Sequence, residues 1–186
     1  MSSSCSEVVL FPASVKTTAG VKWGYINEAG MVVISPAFTS GSEFYNGRAI
    51  VGVRKNDRHQ SGLIDMTDAF IIPPDYDALI MLGETRAAVG KAHDPSNILQ
   101  GIVYAIADTE SGRIFTDFIY NQVYRFQGEF SSVTKGMYSF FIKKNGVPAA
   151  NLPLIHGKGE LKLKGNVIKA EVDGGNSYYD CQGRHI

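Results

Sequence analysis

The side chains best suited to bind a metal or move a proton are four histidines, His59, His93, His156 and His185, and two cysteines, Cys5 and Cys181. A metal centre or a general base needs several such groups converging, and these are scattered along the chain. Only Cys181 and His185, set across one turn, approach a useful spacing, and a small buried thiol beside a surface imidazole accounts for that pair. No Cys-x-x-Cys is present, so neither a zinc knuckle nor dithiol exchange is expected. Cys5 and Cys181 could form a single bridge if the two ends of the chain met, and a reducing compartment is the default for so few cysteines. The Gly-x-Ser-x-Gly turn of a serine nucleophile and the Gly-x-x-x-x-Gly-Lys-Ser/Thr phosphate loop are both missing; Gly157-Lys158-Gly159 lacks the spacing of the latter. Asp65, Asp108 and Asp180 fall at hairpin turns, where a carboxylate bonds local backbone. The expectation is therefore a chain without catalytic, cofactor-binding or metal-binding residues.

The elements that would have to position any site are short β-runs. Twenty glycines and seven prolines punctuate the 186 residues, and no stretch holds apolar residues at helical spacing for long. The segment Trp23-Gly24-Tyr25-Ile26-Asn27-Glu28-Ala29-Gly30-Met31-Val32-Val33-Ile34 reads as a hairpin turning at Gly30. It returns at Gly62 to Ile72, again around Ala105-Ile106 with a longer turn closing at Gly112, at Phe141 to Val147, and at Tyr178 to Ile186. Aligning Ile26, Ile64, Ile106, Ile142 and Tyr179 gives steps of 38, 42, 36 and 37 residues. A second register agrees: Pro36-Ala37-Phe38 is matched by Pro74-Asp75-Tyr76, and Arg48-Ala49-Ile50-Val51 by Arg86-Ala87-Ala88-Val89, both at a shift of 38. Such a period is the mark of a repeat protein whose units must stack to bury their faces.

The phrase Lys22-Trp23-Gly24-Tyr25-Ile26-Asn27-x-x-Gly30, then Ile34-x-Pro36-x-Phe38, then Phe44-x-x-Gly47-x-Ala49-x-Val51, resembles the WG-repeat family of bacterial β-repeat proteins. The second unit follows it with Ser61 in place of the tryptophan, and the later three follow it in outline. The resemblance implies a repetitive β architecture; it brings no catalytic residue and no ligand.

The phase of the repeats suggests closure. Ala13-Ser14-Val15 precedes Ala49-Ile50-Val51 by 36 residues, so the chain opens with the last part of a unit, while residues 176–186 supply only a first hairpin. Joined, the two fragments would complete a fifth blade, as terminal strands do when they latch a β-propeller. The expected architecture is an all-β single domain, a small five-bladed β-propeller with units near 23–60, 61–102, 103–138, 139–175, and 176–186 plus 5–15. An open stack of β-hairpins is the alternative.

Aromatic residues recur with the units, among them Tyr25, Phe38, Phe44, Tyr76, Phe115, Phe118, Tyr120, Phe140, Phe141 and Tyr178, and inter-blade packing is their simplest role. The links Lys16 to Val21, Arg54 to Gln60, Ala92 to Gln100, Thr134 to Tyr138 and Asp173 to Asn176 read as inter-repeat loops. Two are longer and polar, and loops on a rigid scaffold commonly carry recognition. Arg54, Lys55, Arg58 and His59 on one, and His93, Asp94 and Asn97 on the other, are the candidate partner-binding residues.

Eighteen Lys+Arg balance eighteen Asp+Glu, which excludes capture of nucleic acid by net charge. No apolar run is long enough for a membrane helix, and the N-terminus lacks a secretion signal, so a cytoplasmic protein is expected. Function is expected to be non-enzymatic, a binding or scaffold module facing a protein or peptide. A glycan or cell-envelope ligand binder would instead need Tyr45, Tyr120, Tyr124 or Tyr178 exposed and clustered.

Overall fold

The computed structural model describes residues 8–186, and among them there are five small antiparallel sheets, one 3-10 turn at Ile98–Gln100 and no α-helix. The first sheet holds β1 (Phe11–Thr17), β2 (Gly20–Ile26) and β3 (Val32–Phe38); the second holds β4 (Ser40–Gly41), β5 (Arg48–Lys55), β6 (Arg58–Asp65) and β7 (Phe70–Tyr76). The third comprises β8 (Ala78–Gly83), β9 (Arg86–Ala92) and β10 (Ile102–Asp108); the fourth β11 (Gln122–Val123), β12 (Phe130–Lys135), β13 (Tyr138–Lys143) and β14 (Ile155–His156). The fifth is β15 (Gly159–Lys164), β16 (Val167–Val172) and β17 (Gly175–Asp180). Neighbouring strands in every sheet are consecutive in sequence, and no sheet closes on itself. The chain divides into two compact units, one ending at Tyr76 and one running from Asp77 to Ile186.

Local chemistry sets these hairpins. At the β2–β3 turn the Asn27 side chain accepts hydrogen bonds from the Ala29 and Met31 amides, and Gly30 takes a positive φ of 76°. Asp65 plays the same part for Thr67 and Ala69, Asp108 for Glu110 and Ser111, and Asp180 for Gln182 and Arg184. The turn role expected of the three aspartates is therefore the one they fill. The glycine after Trp23 has a different reason. A Cβ on Gly24 would strike the Ile34 carbonyl oxygen and lie 2.8 Å from the Pro36 nitrogen, because β3 bulges across it. Gly62 stands in the same relation to Ile72 and Pro74, one period later.

In the first unit, Leu10 just before β1 and Tyr25, Ile34 and Phe38 of the first sheet form one core with Ala49, Val51 and Ile64 of the second, and Trp23 and Phe44 pack against it. In the second unit Leu82, Ala88, Ile106, Tyr120, Phe126, Val133 and Ile142 form one cluster, and Phe141, Ile155, Leu161, Ile168 and Ala170 another.

Two expectations need correction. The shared fifth blade is not formed by the described residues: β1 pairs with β2, and β17 pairs with β16. Each terminal segment instead belongs to a sheet built from its own sequence neighbours, because a local hairpin closes at less entropic cost than a pairing across the whole chain. The segments read as inter-repeat links are also hairpin turns within sheets. They join β1 to β2, β5 to β6, β9 to β10, β12 to β13 and β16 to β17, so the sheets are out of phase with the units marked by the sequence. A bridge between Cys5 and Cys181 involves residue 5, which lies outside the described residues.

Candidate functional site

The polar segments singled out in the sequence prove tightly built. Residues 54–60 are not a loop: Arg54 pairs with His59 and Lys55 with Arg58 in the β5–β6 ladder. Asn56 and Asp57, with φ of 50° and 59°, make the two-residue turn whose twist suits a hairpin. Arg54 reaches Asp57 at 3.4 Å, Lys55 reaches Asp75 at 2.7 Å, and His59 Nε2 lies 3.4 Å from Ser40 Oγ. The segment from His93 to Gly101 is a true loop, the longest of the five such connections. The Asp94 carboxylate there accepts from the amide and hydroxyl of Ser96, which holds its pKa below the usual value, and the Asn97 side chain accepts from the Leu99 amide. His93 is exposed, and its amide donates to the Gly101 carbonyl. Arg54, Lys55, Arg58 and His59 thus sit together on one hairpin end, while Asp94 and Asn97 are engaged in shaping their own loop.

The other histidines make ring contacts. His156 meets Tyr138 edge-on at 5.4 Å, and His185 meets Tyr179 at 5.4 Å. The Cys181 thiol is directed to the Asn166 carbonyl at 3.5 Å. Among the described residues no three His, Cys, Asp or Glu side chains converge to hold a metal. Of the tyrosines a glycan site would need, Tyr120 is buried, Tyr124 is half-buried with its hydroxyl donating to Gln122, and Tyr45 and Tyr178 are exposed on different units.

The concavity of the second unit lies elsewhere. After β10, the turn capped by Asp108 sends the chain back alongside its own strand. Phe115 N donates to the Ile106 carbonyl, the Ile106 amide donates to Thr116 Oγ1, and Tyr104 and Tyr120 pair again further on. Between Thr116 and Ile119 the chain leaves this pairing, with Asp117 exposed and Phe118 half-buried. The opposite wall is β13 and the turn after it, where Gly146 N donates to the Lys143 carbonyl and Val147 N to Asn145 Oδ1. The walls meet where Gly146, at φ 78°, lies so close to Phe115 and Thr116 that no side chain fits. Tyr120 donates its hydroxyl to the Gly146 carbonyl at 3.4 Å, and burial raises its pKa.

The cleft between these walls has a volume of about 720 Å³. Phe118, Ile119, Tyr120, Phe140 and Val147 give it an apolar surface, and Asp117, Lys135 and Asn145 are polar lining groups. A contiguous apolar hollow of about 310 Å³ shares Phe140 and Pro148 and extends to Leu152 and Leu154. The wall is stiffened from behind. Arg86 bonds Asp108 at 2.7 Å with both side chains nearly buried, donates to the Lys144 carbonyl at 2.6 Å, and stacks on the Phe115 ring at 4.8 Å. Desolvation opposes ionisation of Asp108, but hydrogen bonds from Ser111 and Glu110 and the Arg86 charge outweigh it and keep its pKa lowered. Lys91 lies over Phe118 at 4.8 Å, orienting that ring.

From the sequence, packing is the simplest role of Phe115, Phe118, Tyr120 and Phe140, with Tyr120 also a candidate for a glycan site. All four line the cleft, Tyr120 as a buried core residue and the other three half-buried. The available signal was the loss of strand alternation over residues 114–120, together with Asn145-Gly146-Val147-Pro148 where the first two units continue into a regular strand.

Comparison with known proteins adds the following. The family model described as "WG containing repeat" matches residues 23–57. No curated protein matches the chain. A solved structure described as "AfRom2 CNH domain" is similar over 97% of this chain and 68% of that one, at 12% identity and a TM-score of 0.42. The similarity to a WG containing repeat thus begins at Trp23 in β2 of the first sheet and ends at Asp57 in the β5–β6 turn of the second.

Proposed function

We propose that the protein is a non-enzymatic binding module whose recognition site is the cleft of the second unit, taking an extended peptide segment with apolar side chains. The observation that carries this reading is the cleft itself, with Phe118, Phe140 and Val147 open to a ligand on a wall fixed by the Arg86–Asp108 pair. Pockets that combine an apolar lining with a few polar groups suit ligands anchored by one or two apolar side chains. Asp117 and Lys135 then offer opposite charges to the flanks of the bound segment, and Asn145 keeps its amide NH2 for a backbone carbonyl. The polar segments at 54–60 and 93–101 are secondary in this reading, since their side chains are largely committed to local partners.

The test is selection of a phage-displayed dodecapeptide library on the purified protein, followed by affinity measurements on the enriched peptides. Phe118→Ala and Val147→Asp are expected to weaken binding at least about tenfold, equivalent to about 1.4 kcal/mol. Arg54→Ala and His93→Ala are expected to leave it unchanged. Loss of binding on the second pair, with none on the first, would move the site to the polar segments. A library that yields no peptide sensitive to the cleft substitutions would sink the proposal.

A further inference from the structure

The two walls of the second unit's cleft come from different parts of the chain, one following β10 and the other formed by β13 and its turn, and one buried cation bonds both. Arg86 opens β9 and faces Asp108 across the β9–β10 ladder, as Arg48 faces Asp65 in the second sheet. The pairing is thus a repeat position, but it does not account for where the rest of the guanidinium goes. Its Nη1 donates to Asp108 Oδ2 at 2.7 Å and to the carbonyl and hydroxyl of Thr85 at 3.0 and 2.9 Å. Its Cζ lies over the Phe115 ring at 4.8 Å, and its Nε donates to the Lys144 carbonyl at 2.6 Å, 58 residues along the chain. Lys144 is followed directly by Asn145, Gly146 and Val147, which line the second wall as Phe115 lines the first.

From this we infer that Arg86 is the positioning residue of the cleft: its buried guanidinium sets the spacing of the two walls, so that the cleft is formed before a ligand arrives. Burial singles out this side chain among the groups that tie the walls together. Arg86 and Asp108 are each 14% exposed, so their bond is charge-assisted and little screened. Lys144 Nζ also reaches Glu84 at 3.1 Å and Glu129 at 3.4 Å, but those carboxylates are 49% and 77% exposed, and such pairs contribute little. The Tyr120 hydroxyl bond to the Gly146 carbonyl is long, at 3.4 Å. A guanidinium carries five donors in one rigid plane and can serve Asp108, Thr85 and Lys144 while stacking on a ring; an ammonium, with three donors at one point, cannot. The consequence for binding rests on the cleft being the recognition site, since a preformed site spares its ligand the cost of ordering it.

Hydrogen exchange on the full chain tests the clasp without a ligand. In Arg86→Lys the Gly146 and Val147 amides, which donate to the Lys143 carbonyl and to Asn145 Oδ1, are expected to exchange faster by about tenfold or more. The Leu161 amide, in the fifth sheet, should keep its protection. Lys144→Met removes the ammonium and keeps the carbonyl, and Arg113→Ala takes a second cation off the Phe115 ring; both should leave Gly146 unchanged. In Arg86→Ala, millimolar guanidinium chloride, far below a denaturing concentration, should restore protection that the same amount of sodium chloride does not. A side chain that only helps the unit fold would not be replaced in this way. Peptides selected on the cleft should bind Arg86→Lys about tenfold more weakly. Equal acceleration at Gly146 and Leu161, none at Gly146, or a loss in Lys144→Met as large as in Arg86→Lys would each overturn the inference, as would cleft-sensitive peptides that bind Arg86→Lys unchanged. A library without cleft-sensitive peptides would instead overturn recognition by the cleft and leave the exchange result standing.

Discussion

The contact between the first and second sheets and the contact between the fourth and fifth join the same kinds of element by different chemistry. The first is aromatic and aliphatic. Tyr25 is fully buried, meets Phe44 edge-on at 4.8 Å, and packs with Ile34, Phe38, Val51 and Ile64. The second adds a row of buried hydroxyls. Ser132 Oγ accepts from the Leu161 amide at 2.9 Å, while Ser139 Oγ accepts from the Gly159 amide at 3.1 Å and donates to the Gly157 carbonyl at 2.8 Å. Thr134 Oγ1 lies 3.2 Å from Ser139 Oγ. All three residues are completely buried. The hydroxyls satisfy backbone groups of Gly157 and of β15, which lies at the edge of its own sheet. A repeat interface can therefore pass from apolar packing to side-chain-to-backbone bonding and keep its sheets, provided every buried polar group finds a partner.

Breaking the aromatic contact is expected to have the largest effect. Tyr25→Ala removes a ring from a filled core and should destabilise the first unit by about 3–5 kcal/mol. Tyr25→Phe keeps the ring and loses only the hydroxyl bond to the Ser42 carbonyl at 2.9 Å, a loss of about 1 kcal/mol. Urea unfolding followed by Trp23 fluorescence reads both, because that side chain packs against the same core. Equal losses from the two substitutions would mean that the hydroxyl, rather than the ring, holds this contact. Burial, with the nearby Glu43 charge adding to it, pushes the Tyr25 phenol up to about 12. Its folded pKa lies above the unfolded value of 10.0, so the stability linked to the protonated phenol is fully present below pH 10 and is lost as pH rises from 10 toward about 12.

At the hydroxyl contact the same experiment should invert. Ser139→Ala deletes one oxygen, yet it orphans the Gly159 amide and the Gly157 carbonyl and strips Thr134 of a partner, at a cost of about 1–3 kcal/mol. Hydrogen exchange is the sharper measurement, since the Gly159 amide should lose protection by about tenfold or more while amides of the first unit keep theirs. Ser139→Thr, which retains the hydroxyl, is expected to recover part of that protection. Unchanged exchange at Gly159 in Ser139→Ala would show that the hydroxyl row is incidental to the contact.

This difference also explains what the sequence revealed. The period and the hairpins were legible because they depend on local chemistry: Asn27, Asp65, Asp108 and Asp180 cap turns, and Gly24 and Gly62 yield to a bulging neighbour strand. The family match over residues 23–57 covers the aromatic half of the first contact. Ser132, Thr134 and Ser139 carry no such signature, because a serine in a strand reads the same whether it faces solvent or a backbone amide. The assignment of strands to sheets was hidden for a related reason. Hydrogen-bond partners lie across turns whose polar residues, such as Arg54 to Gln60, look like a loop until Asn56 and Asp57 are seen to reverse the chain in two residues. The cleft was hidden more deeply, since it arises where residues 114–120 and 145–148 abandon the repeat, and a departure from pattern does not name what it builds.

The smallest effect concerns the charged outer face of the fifth sheet. Here β15 and β16 place Glu160 opposite Glu171 and Lys162 opposite Lys169, like-charge pairs that would repel if each met only its neighbour. The side chains resolve this diagonally: Lys162 Nζ bonds Glu171 at 2.9 Å and Glu160 at 3.2 Å, and Lys169 Nζ bonds Glu171 at 2.6 Å. Hydrogen bonds from Lys169 and then Lys162 hold the Glu171 pKa down at about 2, against an ordinary value of 4.5. A carboxylate depressed on folding contributes stability that is complete above the unfolded pKa and fades as pH falls toward the folded one, so the window is pH 4.5 down to about 2. The group is about a third exposed, and solvent screening keeps the contribution slight. A carbon-detected NMR titration should show Glu171 titrating at the acid end of that window, rising toward the ordinary value in Lys169→Met and in high salt, which screens exposed pairs. A Glu171 that already titrates normally in the unmodified protein would mean the diagonal bonds do not persist in solution. The fifth sheet's face would then carry four free charges.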